Sequence, residues 1–599
     1  MSTLHFSPRK NRAAEIAWRP WGEAAFAQAQ EQGKPVLLAI SAVWCHWCHV
    51  MDETSYSDAS VIAQINERFI PVRVDNDQRP DVNARYNMGG WPTTALLTPD
   101  GEVLYGGTYL PPEAMLQVLK QIDQFYSQPD NRFTIAEQVR QMKTARAARA
   151  RTPLGADLDP HTPANVLAML SSAFDPEYGG FGTDQKFPHV SALHFLLDLW
   201  SRTRDERAQL IVQRTLHAMA EGGMYDHVQG GFYRYSTTRD FSVPHFEKML
   251  EDLGGLLHAC ARAGAMFEDA GLRRVAIDVK RYLDEHLWNA SLGGYGGSQD
   301  ADEEYYALDA AGRAALPEPY VDPIVYTSWN AQAALALLSS APLLRRDGVD
   351  EPAWVDRGLA ILDTLWSKLL DKGLLCRYFD GKAHVRGLLG DQAWAACAAL
   401  AAFQATGDSL WLERCRTLVE AADALYDGHA EAYLDRLTTD DDPGRVAEQI
   451  VSFEDNALMA RVLLGCAALC GEQSYAERAQ ALLRRYARDY QSKDLFAAGY
   501  ASAVLDLNDP PVDVNIVGAS SDPAVGALRE AARGMASPPH RVDSIDPQQR
   551  PERAIEFGPP ATGSAVAYLC RGATCFARAG SAPELTEALS KAAQTSSRS

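Results

Sequence analysis

The stretch WCHWCHVM, residues 44–51, decides how the front of this 599-residue chain folds and what it does. It packs two cysteines and two histidines together, and three chemistries fit that composition. Cys-x-x-Cys-His is the attachment pattern for c-type haem, and Cys-x-x-Cys at the start of a helix is a redox dithiol. Two Cys and two His together could also hold zinc. The flanking sequence indicates which of the three chemistries applies.

Those surroundings favour the dithiol. The apolar run KPVLLAI (residues 34–40) precedes the motif and a helical pattern follows it, so the first thiol would face the positive end of a helix dipole, which favours thiolate. A structural zinc site usually takes two ligands from each of two separated segments, and no second Cys/His pair lies nearby. Haem attachment works outside the cytoplasm, and nothing here directs export. We therefore predict that Cys45 is the exposed nucleophile, Cys48 the resolving thiol and His46 a group that stabilises the thiolate when charged.

Residues 1–139 read as an α/β domain. Apolar strand patterns alternate with helical ones, and such alternation favours a sheet that is covered on both faces. The expected strands lie at 35–40, 69–75, within 89–101 and within 102–110, and the last helix follows Pro111 and Pro112.

From 159 to 506 the pattern changes to Ala- and Leu-rich helices. Between pairs of helices a Gly-Gly-aromatic element recurs, as YGGFG (178–182), QGGFYRYS (229–236) and LGGYGGS (292–298). Hairpins repeated about six times can close into an (α/α)6 toroid, with an open helical solenoid as the alternative. The basic stretch 140–158 reads as a linker, and residues 507–599 return to a small α/β segment.

Charge and cysteine usage narrow the function classes. The net charge of −21 argues against nucleic acid and anionic membranes as partners. We find no apolar run long enough to cross a bilayer and no signal-peptide core, so we expect a cytoplasmic protein without a membrane partner. No cofactor is expected. Ten cysteines is a sparse count, and only Cys45/Cys48 and Cys570/Cys575 stand as pairs. For the second pair a disulfide, a relay and two reduced thiols all stay open.

The order of the motifs resembles the thioredoxin fold over about residues 18–125: an apolar strand, WCxxC, a helix, a strand ending in Val-Asp, and then Gly-Trp-Pro-Thr at 90–93. The resemblance implies that Pro92 is the cis-proline that faces the dithiol and holds the substrate backbone. Two departures argue against a fast general reductase. Ala39 stands where thioredoxins commonly carry a buried Asp, and His46-Trp47 replaces Gly-Pro between the cysteines.

Longer motifs resemble the YyaL-like family, which includes the spermatogenesis-associated thioredoxin-domain protein. They are CHWCHVM, INERFIPVRVDNDQRPDVNARY, GGWPTTALLTPDGEVLYGGTYLPP, GGFYRYS with VPHFEKML, and SQDADEE. The resemblance implies a multidomain chain, with a thioredoxin-like domain followed by an (α/α)6 domain similar to six-hairpin glycosidases and N-acylglucosamine 2-epimerases.

The helical domain carries a second candidate site. Carboxylates, histidines and aromatics at loop mouths suit a sugar-like ligand, because rings stack on rings and His or Asp can act as acid and base. We expect a helix directly after Pro244. The acids of DADEE lack EF-hand spacing, so no metal is predicted. The alternative is a buried hydrogen-bond network that locks the barrel. The candidate residues are Asp226, His227, Arg234, Tyr235, His245, Lys248, Asp300, Asp302, Trp329 and Asn330, and His227 and His245 are the positional analogues of the two histidines that epimerases of the related fold use.

Three hypotheses about function follow. The first is a thiol–disulfide oxidoreductase that acts on a protein or small-molecule substrate, with the helical barrel binding that substrate or a sugar-like ligand. The second is a carbohydrate epimerase or isomerase that uses the thioredoxin-like domain for regulation or docking. The third is a non-catalytic binding protein.

Overall fold

The computed structural model describes residues 4–150, 155–439, 442–558 and 565–595. The chain forms two compact units, and neither is continuous in sequence. The first unit comprises Met1–Thr152, Ser298–Asp302 and Leu434–Val451, and the second comprises Pro153–Gly297, Glu303–Tyr433 and Ser452–Ser599.

A four-stranded sheet organises the first unit. Its strands are Val36–Ser41 (β1), Ile70–Asp75 (β2), Thr93–Leu97 (β3) and Val103–Gly107 (β4), in the order β2-β1-β3-β4. β1 is parallel to β2 and antiparallel to β3, and β4 is antiparallel to β3. Six helices accompany the sheet: Glu23–Gln32 (α1), His46–Glu53 (α2), Ala59–Arg68 (α3), Pro80–Tyr86 (α4), Pro112–Ser127 (α5) and Pro129–Ala150 (α6). The predicted α/β class of this part is confirmed.

Both faces of this sheet are buried. Val36, Leu38 and Ile40 of β1 join one hydrophobic cluster, and Leu37 and Ala39 join the other. Because successive side chains of a strand point to opposite faces, the unbroken apolar run of β1 requires a covered sheet on each side.

The segment Leu434–Val451 folds with the sheet although it lies far along the chain. Arg85 donates to both carboxylate oxygens of Asp435 at 2.7 and 3.1 Å and to the carbonyl oxygen of Glu448 at 2.6 Å. At Gly101, whose φ is +80°, a Cβ would lie 2.3 Å from the Cα of Gly444, so this close approach requires glycine.

The second unit is built around a ring of helices. Its helices are Thr162–Ala173 (α7), Val190–Thr203 (α8), Glu206–Glu221 (α9), Leu250–Met266 (α10), Ala270–Tyr282 (α11), Glu303–Tyr306 (α12), Ala310–Ala314 (α13), Thr327–Ser340 (α14), Glu351–Thr364 (α15), Leu389–Thr406 (α16), Ser409–Ala422 (α17), Phe453–Cys470 (α18), Gln473–Arg485 (α19) and Ala497–Asn508 (α20). Short strands lie in the loops, and the longest are Leu374–Phe379 (β5) and Ala383–Arg386 (β6).

The ring closes on itself. The inner helices α8, α10, α14, α16, α18 and α20 each pack against the next, and α20 packs against α8. The outer helices α9, α11, α15, α17 and α19 each pack on the inner helix before them, and α7 packs on α20. The predicted (α/α)6 toroid is therefore confirmed. The solenoid alternative is wrong, because a solenoid would leave its terminal helices apart.

The Gly-Gly-aromatic loops share a turn that the sequence pattern did not reveal. Four residues to the N-terminal side of the first glycine, the side chains of Asp175, Asp226 and Asn289 accept the backbone N–H groups two and three residues further on. Such Asx turns reverse the chain between an outer helix and the next inner helix. Near the start of three inner helices, an amide side chain then bridges the N–H and C=O of a loop residue: Asn330 with Tyr295, Gln392 with Leu375 and Asn456 with Tyr433.

A second four-stranded sheet ends the chain. Its elements are Val512–Val517 (β7), Pro523–Arg533 (α21), His540–Ile545 (β8), Pro551–Ile555 (α22), Val566–Arg571 (β9), Thr574–Ala579 (β10) and Ala582–Thr595 (α23). The order is β8-β7-β9-β10, with β7 parallel to β8 and antiparallel to β9, and with β10 antiparallel to β9. The predicted strands at 511–518 and 566–570 and the helix between them are present, whereas β8 and β10 were not predicted.

The stretch interpreted as a linker, 140–158, begins inside α6, which continues to Ala150. Alanine and arginine are strong helix formers, so this basic, Ala-rich stretch extends the helix. Residues 151–154 lie outside the described part of the chain, and the domain boundaries drawn from the sequence stay a prediction.

Replacing Asn456 by alanine should lower the free energy of unfolding by about 2–4 kcal/mol, because the backbone N–H and C=O of Tyr433 lose their shared partner in the core. Chemical denaturation of both proteins measures this. Asn66 is a matched control, since it makes the same kind of bridge, to Ala17 and Glu15, at an exposed position. Asn66→Ala should cost less than about 1 kcal/mol because water replaces the amide. Equal losses for the two variants would contradict this account of the bridge.

Candidate functional site

The dithiol lies where β1 delivers the chain to the start of α2. Cys45 is the N-cap residue of α2, and its sulfur accepts the backbone N–H of Cys48 at 3.2 Å. The two cysteines form a disulfide. The Cys45 sulfur therefore takes one of the N–H groups that a helix start leaves without a backbone partner, an arrangement that stabilises thiolate after reduction.

The proline loop lies beside the dithiol loop. The Trp91–Pro92 peptide bond is cis, as the resemblance implies. The ring of Trp91 contacts the ring of Trp44 edge-on at 5.7 Å between centroids, so the residues that precede Pro92 and Cys45 touch. Trp44 is held in turn by a hydrogen bond from its Nε1 to Oδ2 of Asp77 at 2.7 Å. This contact places Pro92 in the neighbourhood of the cysteines.

Both cysteines are buried in the disulfide form. Cys45 is 4% exposed and Cys48 is 2% exposed, whereas Trp47 between them is 50% exposed. The expectation that Cys45 is exposed is therefore wrong for this state. His46 is half-buried, with its ring edge-on to Trp47, and Trp47 also contacts Tyr109 at 5.2 Å. Aromatic rings thus form the accessible surface beside the dithiol.

A buried ion pair lies next to the dithiol on α2. Asp52, one turn beyond Cys48 on the same face of the helix, accepts two hydrogen bonds from Arg73 of β2 at 2.7 and 2.9 Å. In the strand register Arg73 stands opposite Ala39, the position at which a thioredoxin would carry its acid. A buried charge pair is therefore present in this region, although the acid comes from the helix and not from the strand. Sequence reasoning missed it because no local pattern joins residue 52 to residue 73.

The imidazole of His49 lies close to a carboxylate from a distant part of the sequence. Its Nδ1 lies 3.6 Å from Oδ2 of Asp300. Burial, together with the nearby charges of His5 and Arg73, lowers the pKa of His49 to about 4. Asp300 and Asp302, which we predicted in the barrel mouth, belong to the first unit. Within the described residues no cluster of three or more metal-binding side chains is found, and His49 is a helix residue beside a carboxylate.

Other predicted binding residues form a buried network in the second unit. Lys248 Nζ donates to Oδ2 of Asp226 at 2.7 Å and to the carbonyl oxygen of Gly230 at 2.8 Å, and Arg313 donates to the same Oδ2 at 2.7 Å. Burial raises the pKa of Asp226, but the two cations outweigh it and bring that pKa to about 2. Burial lowers the pKa of Lys248 to about 8. Lys186, with Asp175 and Gly179, repeats this arrangement one hairpin earlier. The repetition fits the alternative of a network that locks the loops.

Trp329 and Asn330 are also buried. Asn330 bridges the backbone of Tyr295, and Trp329 packs its ring against Tyr326 at 4.7 Å. Both side chains face the protein interior near the start of α14.

Arg234, Tyr235 and His245, three of the remaining predicted residues, lie together shortly before the start of α10. The rings of Phe187, Tyr235 and His245 stack in series, at 4.7 and 4.9 Å between centroids. Nδ1 of His245 lies 2.5 Å from Oε2 of Glu247. Arg234 lies beside Tyr235, with its guanidinium 5.6 Å from the ring centroid, whereas the exposed His227 contacts the carbonyl oxygen of Gly222.

The expected helix directly after Pro244 is wrong. Pro244 and His245 pair with Tyr235 and Ser236 in a short antiparallel ribbon, and α10 begins only at Leu250. The ribbon forms here in place of the predicted helix. Pro244 has no N–H to donate, and such a residue is tolerated at the edge of a ribbon.

A cleft that the sequence did not indicate opens at the starts of α18 and α20. Its volume is about 420 Å³, and Phe453, Glu454, Lys493 and Phe496 are among its lining residues. Desolvation and the neighbouring Asp455 raise the pKa of Glu454 to about 7. Asp252, near the start of α10, is raised to a pKa of about 6 by burial, against the opposing charge of Arg234. The signal that could have found Glu454 is an acid in the first turn of an inner helix.

Comparison with known proteins agrees with the motifs. Residues 7–145 match the Thioredox_DsbH family, described as a protein of unknown function, DUF255. Spermatogenesis-associated protein 20 of Homo sapiens is 37% identical over 309 residues, which cover 48% of this chain and 39% of that protein, and the Mus musculus protein is 37% identical over 313 residues with the same coverage. The resemblance drawn from the motifs is thus confirmed, and the match spans about two fifths of the relatives' own length.

Two solved structures illustrate the likeness of the helical part. A D-mannose isomerase is 12% identical, with a TM-score of 0.46 over 57% of this chain and 96% of that chain. The cellobiose 2-epimerase of Spirochaeta thermophila is 18% identical, with a TM-score of 0.43 over 59% of this chain and 86% of that chain. These likenesses concern the helical fold only. Among the described residues, none of the helices combines the length and the hydrophobicity that a transmembrane span requires.

His49 should make the stability of the protein depend on pH. Its folded pKa, about 4, lies below its usual 6.5, so protonation favours the unfolded state. The stabilisation is present above about pH 6.5 and is lost as the pH falls toward 4. As the pH falls between these limits, the free energy of unfolding of the native protein should decrease by up to about 3 kcal/mol more than that of His49→Gln. Urea titrations of both proteins at each pH measure this difference. The exposed His161 gives the control variant, His161→Gln, which should follow the native curve. Parallel curves for the native protein and His49→Gln would refute the assignment.

Proposed function

We propose that the first unit is a thiol–disulfide oxidoreductase whose redox pair is Cys45 and Cys48. One observation carries the proposal: the two cysteines are joined in a disulfide whose first sulfur caps α2. The contact between Trp44 and Trp91, which brings the Pro92 loop beside the dithiol, supports it. Pro92 would hold the substrate backbone.

The chain's own groups account for one complete exchange. In the reduced state the Cys45 thiolate, held at the start of α2, attacks one sulfur of a substrate disulfide, and the other substrate sulfur leaves as a thiolate. The Cys48 thiolate then attacks the Cys45 sulfur and releases the second substrate thiolate. Two electrons pass to the substrate, each released thiolate takes a proton, and the Cys45–Cys48 disulfide remains. An external dithiol reduces it again.

The burial of the pair makes it a selective catalyst. With 4% and 2% exposure, the two cysteines are closed to most surfaces, and we infer that a partner approaches them beside the exposed Trp47. The rings of Trp47 and Tyr109 form a rim beside the dithiol. This rim suits an extended, partly apolar peptide, because aromatic rings bury large apolar areas. This selectivity agrees with Ala39 standing in place of the usual acid.

A redox titration tests the proposal. Equilibration of the full chain in dithiol buffers, followed by mass-shift alkylation, should show a reversible two-electron transition of Cys45 and Cys48 between about −350 and −120 mV. Cys45→Ser should abolish the transition, and Cys260→Ser, which changes a buried free thiol, should leave it in place. A pair that never forms a reversible disulfide in this window would rule the oxidoreductase out.

A second candidate function rests on the toroid. The stacked Phe187, Tyr235 and His245, with Glu247 against His245, support a site for a sugar-like ligand, in which rings stack on the sugar and the His–Glu pair moves a proton. The toroid would then be an epimerase or isomerase, or a binding domain that selects the substrate of the dithiol. The related fold of sugar epimerases is compatible with both.

Ligand linkage tests this second function. A sugar present at about 100 times its Kd should stabilise the protein by about 2.7 kcal/mol, which thermal-shift assays with a panel of sugars detect as a rise in Tm. His245→Ala should remove the rise. His217→Gln, on the outer helix α9, should retain it. Absence of any shift across the panel would count against the sugar site, and a shift without turnover would favour a binding protein.

A further inference from the structure

The last sheet of the chain repeats the first. Both have the same strand order, and in both the central strand is parallel to one neighbour and antiparallel to the other. A turn repeats as well: DNDQRPD (75–81) follows β2 and DPQQRPE (546–552) follows β8. The C-terminal sheet is therefore a second thioredoxin-like arrangement.

The two turns agree in their hydrogen bonds. Asp75 Oδ1 accepts the N–H of Asp77 at 2.8 Å, and Asp546 Oδ1 accepts the N–H of Gln548 at 2.8 Å. In both turns the arginine N–H donates to the carbonyl oxygen of the first aspartate, at 3.0 and 2.8 Å, and a proline then opens the next helix.

The cysteines have a different place in this second arrangement. After β7, Asp522 caps the helix α21, where the first unit has Cys45. Cys570 and Cys575 lie instead on the β9–β10 hairpin, directly opposite each other in its register, and form a disulfide.

The environments of these two cysteines are unequal. Cys575 is exposed on β10, which pairs within the described residues with β9 alone and so forms an open edge. Cys570 is 3% exposed, and the Asn515 side-chain amide donates toward its sulfur at 3.6 Å. An incoming thiolate can reach the Cys575 sulfur, and the Asn515 amide would stabilise Cys570 as the leaving thiolate.

The Cys570–Cys575 disulfide contributes little to the stability of the fold. It spans five residues on a hairpin that the β9–β10 ladder already closes. The entropy that a crosslink removes from the unfolded chain grows with the length of the loop, so the contribution here is near its minimum. An exchange role fits the short span and the exposed sulfur better than a structural one.

We propose that Cys570–Cys575 is a second thiol–disulfide exchange site that accepts electrons from a dithiol. A partner thiolate attacks the Cys575 sulfur, a Cys575–partner S–S bond forms, and the Cys570–Cys575 bond breaks with Cys570 leaving as a thiolate. The second thiol of the partner, as thiolate, then attacks the partner's first sulfur, which is bonded to Cys575 in the mixed disulfide, and releases the Cys575 thiolate. Two electrons enter the pair, the partner leaves as a disulfide, and both thiolates take up protons. This site does not depend on Cys45 and Cys48.

The test uses the full chain with Cys45→Ser and Cys48→Ser, so that the first pair cannot exchange and peptide mapping follows the second pair by itself. Dithiothreitol buffers of varied oxidation, followed by alkylation and peptide mass spectrometry, should convert Cys570 and Cys575 reversibly between disulfide and dithiol without denaturant. The Tm of the two forms should agree within about 3 °C, because the short loop contributes little. A pair that stays reduced in every buffer, or that opens only after unfolding, would overturn the proposal.

Single-cysteine variants in the same background test the direction of attack. With Cys570→Ser, the exposed Cys575 should react with an aromatic disulfide reagent at least about tenfold faster than Cys570 does in Cys575→Ser. The reverse order would show that Cys575 is not the entry point. Asn515→Ala should slow reduction of the intact pair and leave the Tm difference between the two forms unchanged; an unchanged rate would remove Asn515 from the mechanism.

Discussion

The buried ion pair between Asp52 and Arg73 fixes the dithiol to its sheet. Arg73 belongs to β2 and Asp52 to α2, and both are nearly inaccessible to solvent. Breaking such a pair by removing one partner leaves an uncompensated charge in the core and costs about 3–5 kcal/mol. Since Cys45 opens the same short helix, the position of α2 on β2 sets where the sulfurs stand relative to the strand ends. The rest of the first site depends on that placement.

Much of the fold was predictable because it follows from local periodicity. The apolar run of β1, the dithiol and the Gly-Trp-Pro-Thr loop identify the first sheet, and repeated apolar helices with Gly-Gly-aromatic loops identify the toroid. Strands β8 and β10 were not predicted because their polar residues break the alternation expected of strands. His540 and Arg541 begin β8, and Arg578 lies in β10.

The site was harder to predict than the fold. No local pattern brings residue 300 to residue 49, because contacts between distant segments depend on the whole topology. Asp226 and Lys248 have the residue types of a binding site, yet both are buried and paired with each other, which also fits a network that holds a loop in place. Residue type alone does not separate these roles, since both use charged groups that are held by hydrogen bonds. The burial of Cys45 likewise depends on what covers it, which the motif does not encode.

The chain thus carries two sheets of one topology with two disulfides in different places, and a closed ring of helices between them in sequence. In the proposed mechanism Cys45 is the attacking sulfur of the first pair. The most direct measurement is capture of a model disulfide peptide by Cys48→Ser, in which the mixed disulfide cannot be resolved. Peptide mass spectrometry should find the adduct on Cys45, and Cys45→Ser should form at least about tenfold less adduct, on Cys48. Equal capture by both variants, or capture by neither after reduction, would contradict the account.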